Sequence, residues 1–258
     1  MRRALVLVLL TTLTPAAAAD AAGWSGAVRR AERYAMHRAG SVSFAVIDER
    51  GRKRGYRQFA GWYSASLLKP VILGTYLTRR SIRDRPLTRD ERRLMEPMIR
   101  ASADDPASAL FVRLTPGRIQ RFGRRHGLRS IRVAAPIWGS TIITAAGYAR
   151  FIRRLPDDIP PRHRRFAQRL LRSIVPSQRW GIARVRPSGW TLLFKGGWRA
   201  GRGYGRIVNQ AARLECHGTI VSLAVLTDRD PSHGYGTQTV EGVARRLLRP
   251  LRPCGAPQ

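Results

Sequence analysis

"YSASLLKPVILGTYLTRR", residues 63–80, sets a serine and a lysine three residues apart at the head of an apolar run. Pro70 decides how the stretch reads. Its missing N–H does no harm only in the first turn of a helix, so the helix starts close to Ser66. At that spacing Ser66 and Lys69 share one helix face. Lysine is also scarce here. Of the 48 cations in the 258 residues, only Lys53, Lys69 and Lys195 are lysines. Arginine keeps its proton near neutral pH, whereas a desolvated lysine gives it up. An uncharged Lys69 amine could take the Ser66 proton and make a nucleophile, and the helix N-terminus would put positive potential under a forming oxyanion.

Working outward, residues 25–40 read as an amphipathic helix capped by Ser25 and stopped at Gly40. "SVSFAVID" (41–48) is strand-like, and the polar turn "ERGRKRG" leads into a second strand. On the other side, Thr88 and Glu91 form a capping box that opens another helix. "DPASALFVRLT" (105–115), "TPGRIQRFGRRHG" (115–127), "TAAGYARFIRRL" (144–155) and "PRHRRFAQRLLRSI" (161–174) are further short helices, and "LPDDIPP" (155–161) reads as a loop. Near residue 190 the texture changes. "WTLLFKGGW", "GRIVNQAARLEC" and "GTIVSLAVLTD" are three strands joined by Gly-rich turns, and residues 236–251 close the chain as a helix. Strands at both ends of a helical block predict an α/β (α+β) fold. Its antiparallel sheet has about five strands, covered by N- and C-terminal helices, with an inserted all-helical lobe. The expected single domain is 20–258, with an α/β lobe of about 24–62 and 188–250 and a helical lobe of about 63–187. A ligand site belongs in the cleft between lobes.

The first 19 residues read as a secretory signal: Arg2 and Arg3, then the apolar "ALVLVLLTTLT", then small residues with cleavage after Ala19 or Ala21. An uncleaved anchor is the alternative, although the run is short for a bilayer. In an oxidising compartment the two cysteines, Cys216 and Cys254, predict one disulfide that pins the C-terminal tail to the sheet; two free thiols are the alternative. The formal charge is +32. Such a surface attracts polyanions, and outside the cell these are an anionic cell-wall polymer or the membrane surface. Arginine-rich codon usage with merely solvated charges is the competing reading. The arginines are spread along the chain with no nucleic-acid motif, so nucleic acid is not an expected partner. The five histidines show no metal-ligand spacing, and "GWRAGRGYG" (197–205) lacks the following helix of a phosphate loop. No metal or cofactor is expected, and nothing bears on oligomeric state.

Lys195 ends a strand in "LLFKGGW", where Gly196 and Gly197 leave room for a ligand backbone along the strand edge. A cation there suits a substrate carboxylate and depresses the pKa of a neighbouring amine. Ser66-x-x-Lys69, then "SAD" at Ser102–Asp104, then Lys195-Gly196-Gly197 follow the order of three motifs of the active-site serine β-lactamases and penicillin-binding D,D-peptidases. Over roughly residues 25–250 the chain resembles that superfamily, and "QRWGI" (178–182) and "LTDRDPS" (226–232) resemble segments of its exported actinobacterial class A-like members.

The resemblance implies that Ser66 is the nucleophile and Lys69 its base. Ser102 would relay a proton between the lysines and Lys195 would steer the substrate carboxylate. The oxyanion hole would come from the N–H groups of Ser66 and Trp198, with Asp104, Gly196 and Gly197 also lining the substrate site. On the residues alone, Trp62, Trp138 and Trp198 read either as cleft wall or as core packing. Three departures stand out. Ala103 replaces the family's central Asp, and Asp104 replaces an Asn that would donate to substrate. Gly196 replaces a hydroxyl residue. No Glu lies between Glu96 and Glu215, leaving Asp157 and Asp158 as the acids in the region of the family's deacylating glutamate. The implied activity is an exported serine hydrolase acting by acyl transfer through Ser66 on a peptide-like amide or ester, related to the cell wall. The alternatives are a catalytically degraded member that binds anionic wall polymer, and a β-lactamase with a non-glutamate deacylation path.

Overall fold

The computed structural model describes residues 15–201 and 203–256. The predicted leader lies outside them except for residues 15–19, which begin the first helix. Helix α1 (Pro15–Met36) starts ten residues before the expected Ser25 cap. The alanine-rich "PAAAAD" has the highest helix propensity of any residue type, so the helix continues back through it. Gly40, at φ +83°, turns the chain into β1 (Ser41–Ile47), and β2 (Lys53–Tyr56) follows as an edge hairpin partner. After β3 (Trp62–Tyr63), a 3₁₀ turn over Ala65–Leu67 feeds α2 (Leu68–Leu77), with Pro70 in its first turn as expected.

The helical block continues with α3 (Arg80–Arg83), α4 (Arg89–Arg100), α5 (Asp104–Leu114) and α6 (Pro116–Arg125). The Thr88–Glu91 capping box is present at the head of α4. Glu91 also accepts from Tyr76 Oη at 2.9 Å and Arg85 Nη2 at 2.6 Å, and the Arg85 contact above all holds its carboxyl down at about 2. After the short strand β4 (Ile142–Ile143), α7 (Ala145–Asp158) runs through residues expected to form a loop. Pro156 sits in the last turn, where it forfeits little, and it is buried beside Leu155. Asp157 and Asp158, read as loop acids, are instead tied into ion pairs with Arg213 (2.7 Å) and Arg154 (3.4 Å). Helix α8 (Pro161–Arg172) precedes β5 (Thr191–Ala200), β6 (Arg206–Cys216), β7 (Thr219–Asp228) and α9 (His233–Leu247).

The sheet has the expected five antiparallel strands, in the order β2-β1-β7-β6-β5. The first and last parts of the chain therefore meet at the β1–β7 ladder, with Phe44 opposite Val225. Strands β1, β5, β6 and β7 are buried along most of their length, while edge strand β2 is half-buried. Continuous burial requires cover on both faces. Helices α1 and α9 pack together on the sheet, α7 packs on β1, β6 and β7, and α8 packs on β5. The small β3–β4 pair was not anticipated. It ties the approach to Ser66 to the loop after α6, with Ser64 N–H donating to Thr141 O at 2.8 Å. Among the described residues no helix is long and apolar enough to cross a membrane.

Cys216 and Cys254 form a disulfide, consistent with an extracytoplasmic location. It consumes both thiols of the only Cys/His cluster with metal-ligand proximity among the described residues. The bridge closes a loop with a sequence separation of 38. Replacing both cysteines by serine is expected to cost about 3–4 kcal/mol of stability, read from the denaturation midpoint. An unmoved midpoint would show that Cys254 N–H to Ser188 O and Trp190 Nε1–H to Arg252 O, both 2.8 Å, suffice to hold the tail.

Candidate active site

Ser66 lies inside the 3₁₀ turn, on a backbone bent sharply by Ala65 at φ +45°. An alanine tolerates that region only where its surroundings hold it there. Here the surroundings are strand β5 and the buried polar residues beside it. A Cβ on Gly197 would meet Ser66 N at 2.8 Å and Leu67 N at 2.9 Å, so only glycine lets the strand come this close. Buried Asn209 donates to Tyr63 O at 2.8 Å and accepts from Thr227 N–H at 3.0 Å, fastening the turn to β6 and β7. Tyr148 Oη donates to Leu67 O at 2.5 Å from α7.

Lys69, one turn on, is fully buried. Its amine donates to Ser102 O, to Ser102 Oγ at 3.3 Å and to Asp104 Oδ1 at 2.6 Å. Lys195 is fully buried as well and donates to Ser102 Oγ at 2.8 Å and Gly196 O at 2.7 Å. The Ser102 hydroxyl therefore stands between two lysine amines, held by a backbone at φ +59° that a serine rarely adopts. Burial pulls the Lys69 amine below the ordinary lysine range, against the opposing pull of Asp104. Burial, and then the neighbouring Lys69, take Lys195 well below that range. Both shifts favour the uncharged amine, the form that can act as a base.

Above this cluster opens a cleft of about 290 Å³ lined by Ser66, Asp104, Trp138, Trp198 and Arg199, with Phe111, Val112 and Ile137 adding apolar wall. Ser66 reaches it with 8% of its surface exposed. Lys195 does not line it, and the cation on its wall is Arg199, which donates to Ser140 Oγ at 2.8 Å. Sequence reasoning passed over Arg199; its place after Trp198 on the same strand was the available signal. Of the expected cleft tryptophans, Trp138 and Trp198 line it, whereas Trp62 is buried in the core. Gly196 has no side chain because Trp180 fills the space: a Cβ there would lie 3.0 Å from the indole ring. Trp180 is packed edge-on against Trp198 and His233. Among the described residues the only carboxylate on the cleft wall is Asp104, at the head of α5. The loop wall opposite, Pro136 to Gly139, carries none.

No protein-family model matches the chain, and no curated protein matches it. Solved structures do. A β-lactamase from Xanthomonas campestris pv. campestris superposes with a TM-score of 0.75 at 17% identity, covering 87% of this chain and 97% of that one. The fold is that of the serine β-lactamases and penicillin-binding peptidases. A class A β-lactamase from Mycobacterium abscessus gives 0.72 at 21% identity over 86% of this chain and 98% of that one. A β-lactamase from Desulfarculus baarsii gives 0.69 at 21% over 87% and 98%. On this β-lactamase fold both lysines meet at Ser102, Ser66 lines the cleft together with Asp104, the partner of Lys69, and Asp157 and Asp158 do not line it.

Proposed function

We propose that the chain is an exported serine hydrolase that transfers an acyl group from a peptide-like amide or ester to Ser66, with the leader at 1–19 removed and a substrate from the cell wall. The observation that carries this reading is the convergence of Lys69 and Lys195 on Ser102, joined through Asp104 to the cleft that Ser66 lines. Neutral Lys69 accepts the Ser66 proton as Oγ attacks the carbonyl carbon. The N–H groups of Ser66 and Trp198 receive the oxyanion. Ser102 then passes a proton to the leaving nitrogen or oxygen, drawing on the lysine pair. Water releases the acyl group in a second step.

Recognition of a substrate carboxylate falls to Arg199 rather than Lys195, because the Lys195 amine is spent on Ser102 and Gly196 inside the protein. Burial, and then the neighbouring Lys69, favour the uncharged form of that amine, so it is suited to exchange a proton through Ser102 rather than to hold a carboxylate. Asp104 accepts hydrogen bonds when ionised and cannot donate, so the group it meets on the substrate is a donor. With no loop carboxylate in the cleft, a β-lactam acyl-enzyme should persist. Incubation with a penicillin and with a fluorophosphonate should add one covalent adduct by intact mass, absent in Ser66→Ala. No adduct from either probe on the wild type would sink this reading, and rapid nitrocefin turnover would refute the slow release.

Asp104 works against its neighbour. Its carboxylate raises the Lys69 pKa, opposing desolvation. Removing it lets that pKa fall further, so the basic amine is available at lower pH. Asp104→Asn is therefore expected to shift the acid limb of the acylation rate to lower pH and to speed labelling on that limb. A limb that stays put or moves upward would mean that Lys69 is not the titrating base.

A further inference from the structure

Five arginines that the sequence scatters over residues 79–125 converge on a second cavity, of about 620 Å³. It shares no lining residue with the cleft. Arg79 and Arg80 come from the N-cap and first residue of α3, and Arg118, Arg121 and Arg125 from one face of α6. Among the described residues none of the five has an acidic partner, whereas nearby Arg83 and Arg85 are paired with Asp84 at 3.0 Å and Glu91 at 2.6 Å. Among the described residues no carboxylate lines the cavity; Asp158 touches its wall, 2.8 Å from the His126 ring, and is paired with Arg154 at 3.4 Å. Five like charges around one hollow repel each other, and an anion relieves that cost.

We propose that this cavity binds a chain of linked phosphates on a polyol backbone. The guanidinium fork matches phosphate oxygens two at a time, and several forks facing one space suit a repeating anion better than a single one. Bases are not part of the ligand. Sequence-tolerant binding of single-stranded nucleic acid uses exposed aromatic rings to stack bases. The cavity's aromatic residues are turned on each other instead, with Phe122 buried and its ring 4.2 Å from that of His126. The site is independent of the chemistry at Ser66 and would stand if that reading fell.

The test is titration calorimetry of the full chain with a poly(glycerol phosphate) of about ten units, and with tripolyphosphate as the minimal probe. Arg118→Ala/Arg121→Ala/Arg125→Ala should weaken both by at least about tenfold and leave Ser66 labelling intact. The control is Arg162→Ala/Arg165→Ala/Arg169→Ala on α8, which removes the same charge from another helix face; it should cost less than about threefold. Equal losses from the two triples would overturn the site in favour of bulk charge. Tighter binding of an equally charged single-stranded oligonucleotide, lost in the α6 triple, would overturn the polyol assignment. Tripolyphosphate binding alone, with no gain from the polymer, would overturn the repeating ligand.

Discussion

Lys69→Arg is expected to lower the rate of Ser66 acylation by about 10²–10⁴-fold, although the formal charge is unchanged. Arginine cannot give up its proton near neutral pH, so the one property that desolvation confers on Lys69 is lost. The rate is read from adduct mass against time with a fluorophosphonate and a penicillin. The buried position leaves little room for a guanidinium, so Lys69→Ala serves as the companion variant, with the unfolding midpoint measured for both. A small primary amine added to Lys69→Ala should restore part of the rate. Acylation within tenfold of wild type in either variant would show that the Ser66 proton goes elsewhere, and Lys195, reached through Ser102, would become the next base to test.

Gly197→Ala should damage the same step without touching a titrating group. The new methyl would sit 2.8 Å from Ser66 N, 2.9 Å from Leu67 N and 3.2 Å from Ser64 O. All three are backbone atoms, so relief requires moving the strand or the turn that presents the nucleophile. Overpacking of this kind costs about 1–3 kcal/mol of stability, and a displacement of about 1 Å at a reacting group can cost 10²-fold in rate. Gly196→Ala is the matched control. Its nearest neighbours would be side chains, the Trp180 ring at 3.0 Å and the Trp198 ring at 3.7 Å, and a side chain yields more easily than a backbone. A slow, destabilised Gly197 variant beside a milder Gly196 variant is the expected pattern. Equal, small effects from both would mean that the close approach of β5 to the turn does not position Ser66.

Much of the fold was legible in the chain because its signals are local. Pro70 marked the start of α2, the Thr88–Glu91 pair marked that of α4, and short strand-like runs joined by Gly-rich turns marked β5, β6 and β7. The errors also have local causes. The alanine-rich stretch before Ser25 was strong enough to lengthen α1, and Pro156 was read as a break although a last turn accommodates it. The β3–β4 pair, two residues a side, is too short to carry a periodic pattern.

By itself the sequence determined which residues could do chemistry, since a chain that uses arginine for 45 of its 48 cations leaves only three side chains able to lose a proton as an amine. It also determined where those residues sit on their own elements. Only the tertiary structure decided what faces them. Ser102 lies 93 residues from Lys195 and 33 from Lys69, yet hydrogen-bonds both. Asp104 turned out to hold Lys69, Arg199 rather than Lys195 reached the cleft, and five dispersed arginines closed round one cavity. Those outcomes depend on how far each side chain is desolvated and on which charges lie within a few ångströms of it. Both are set by packing between elements remote in the chain, and no local pattern encodes them.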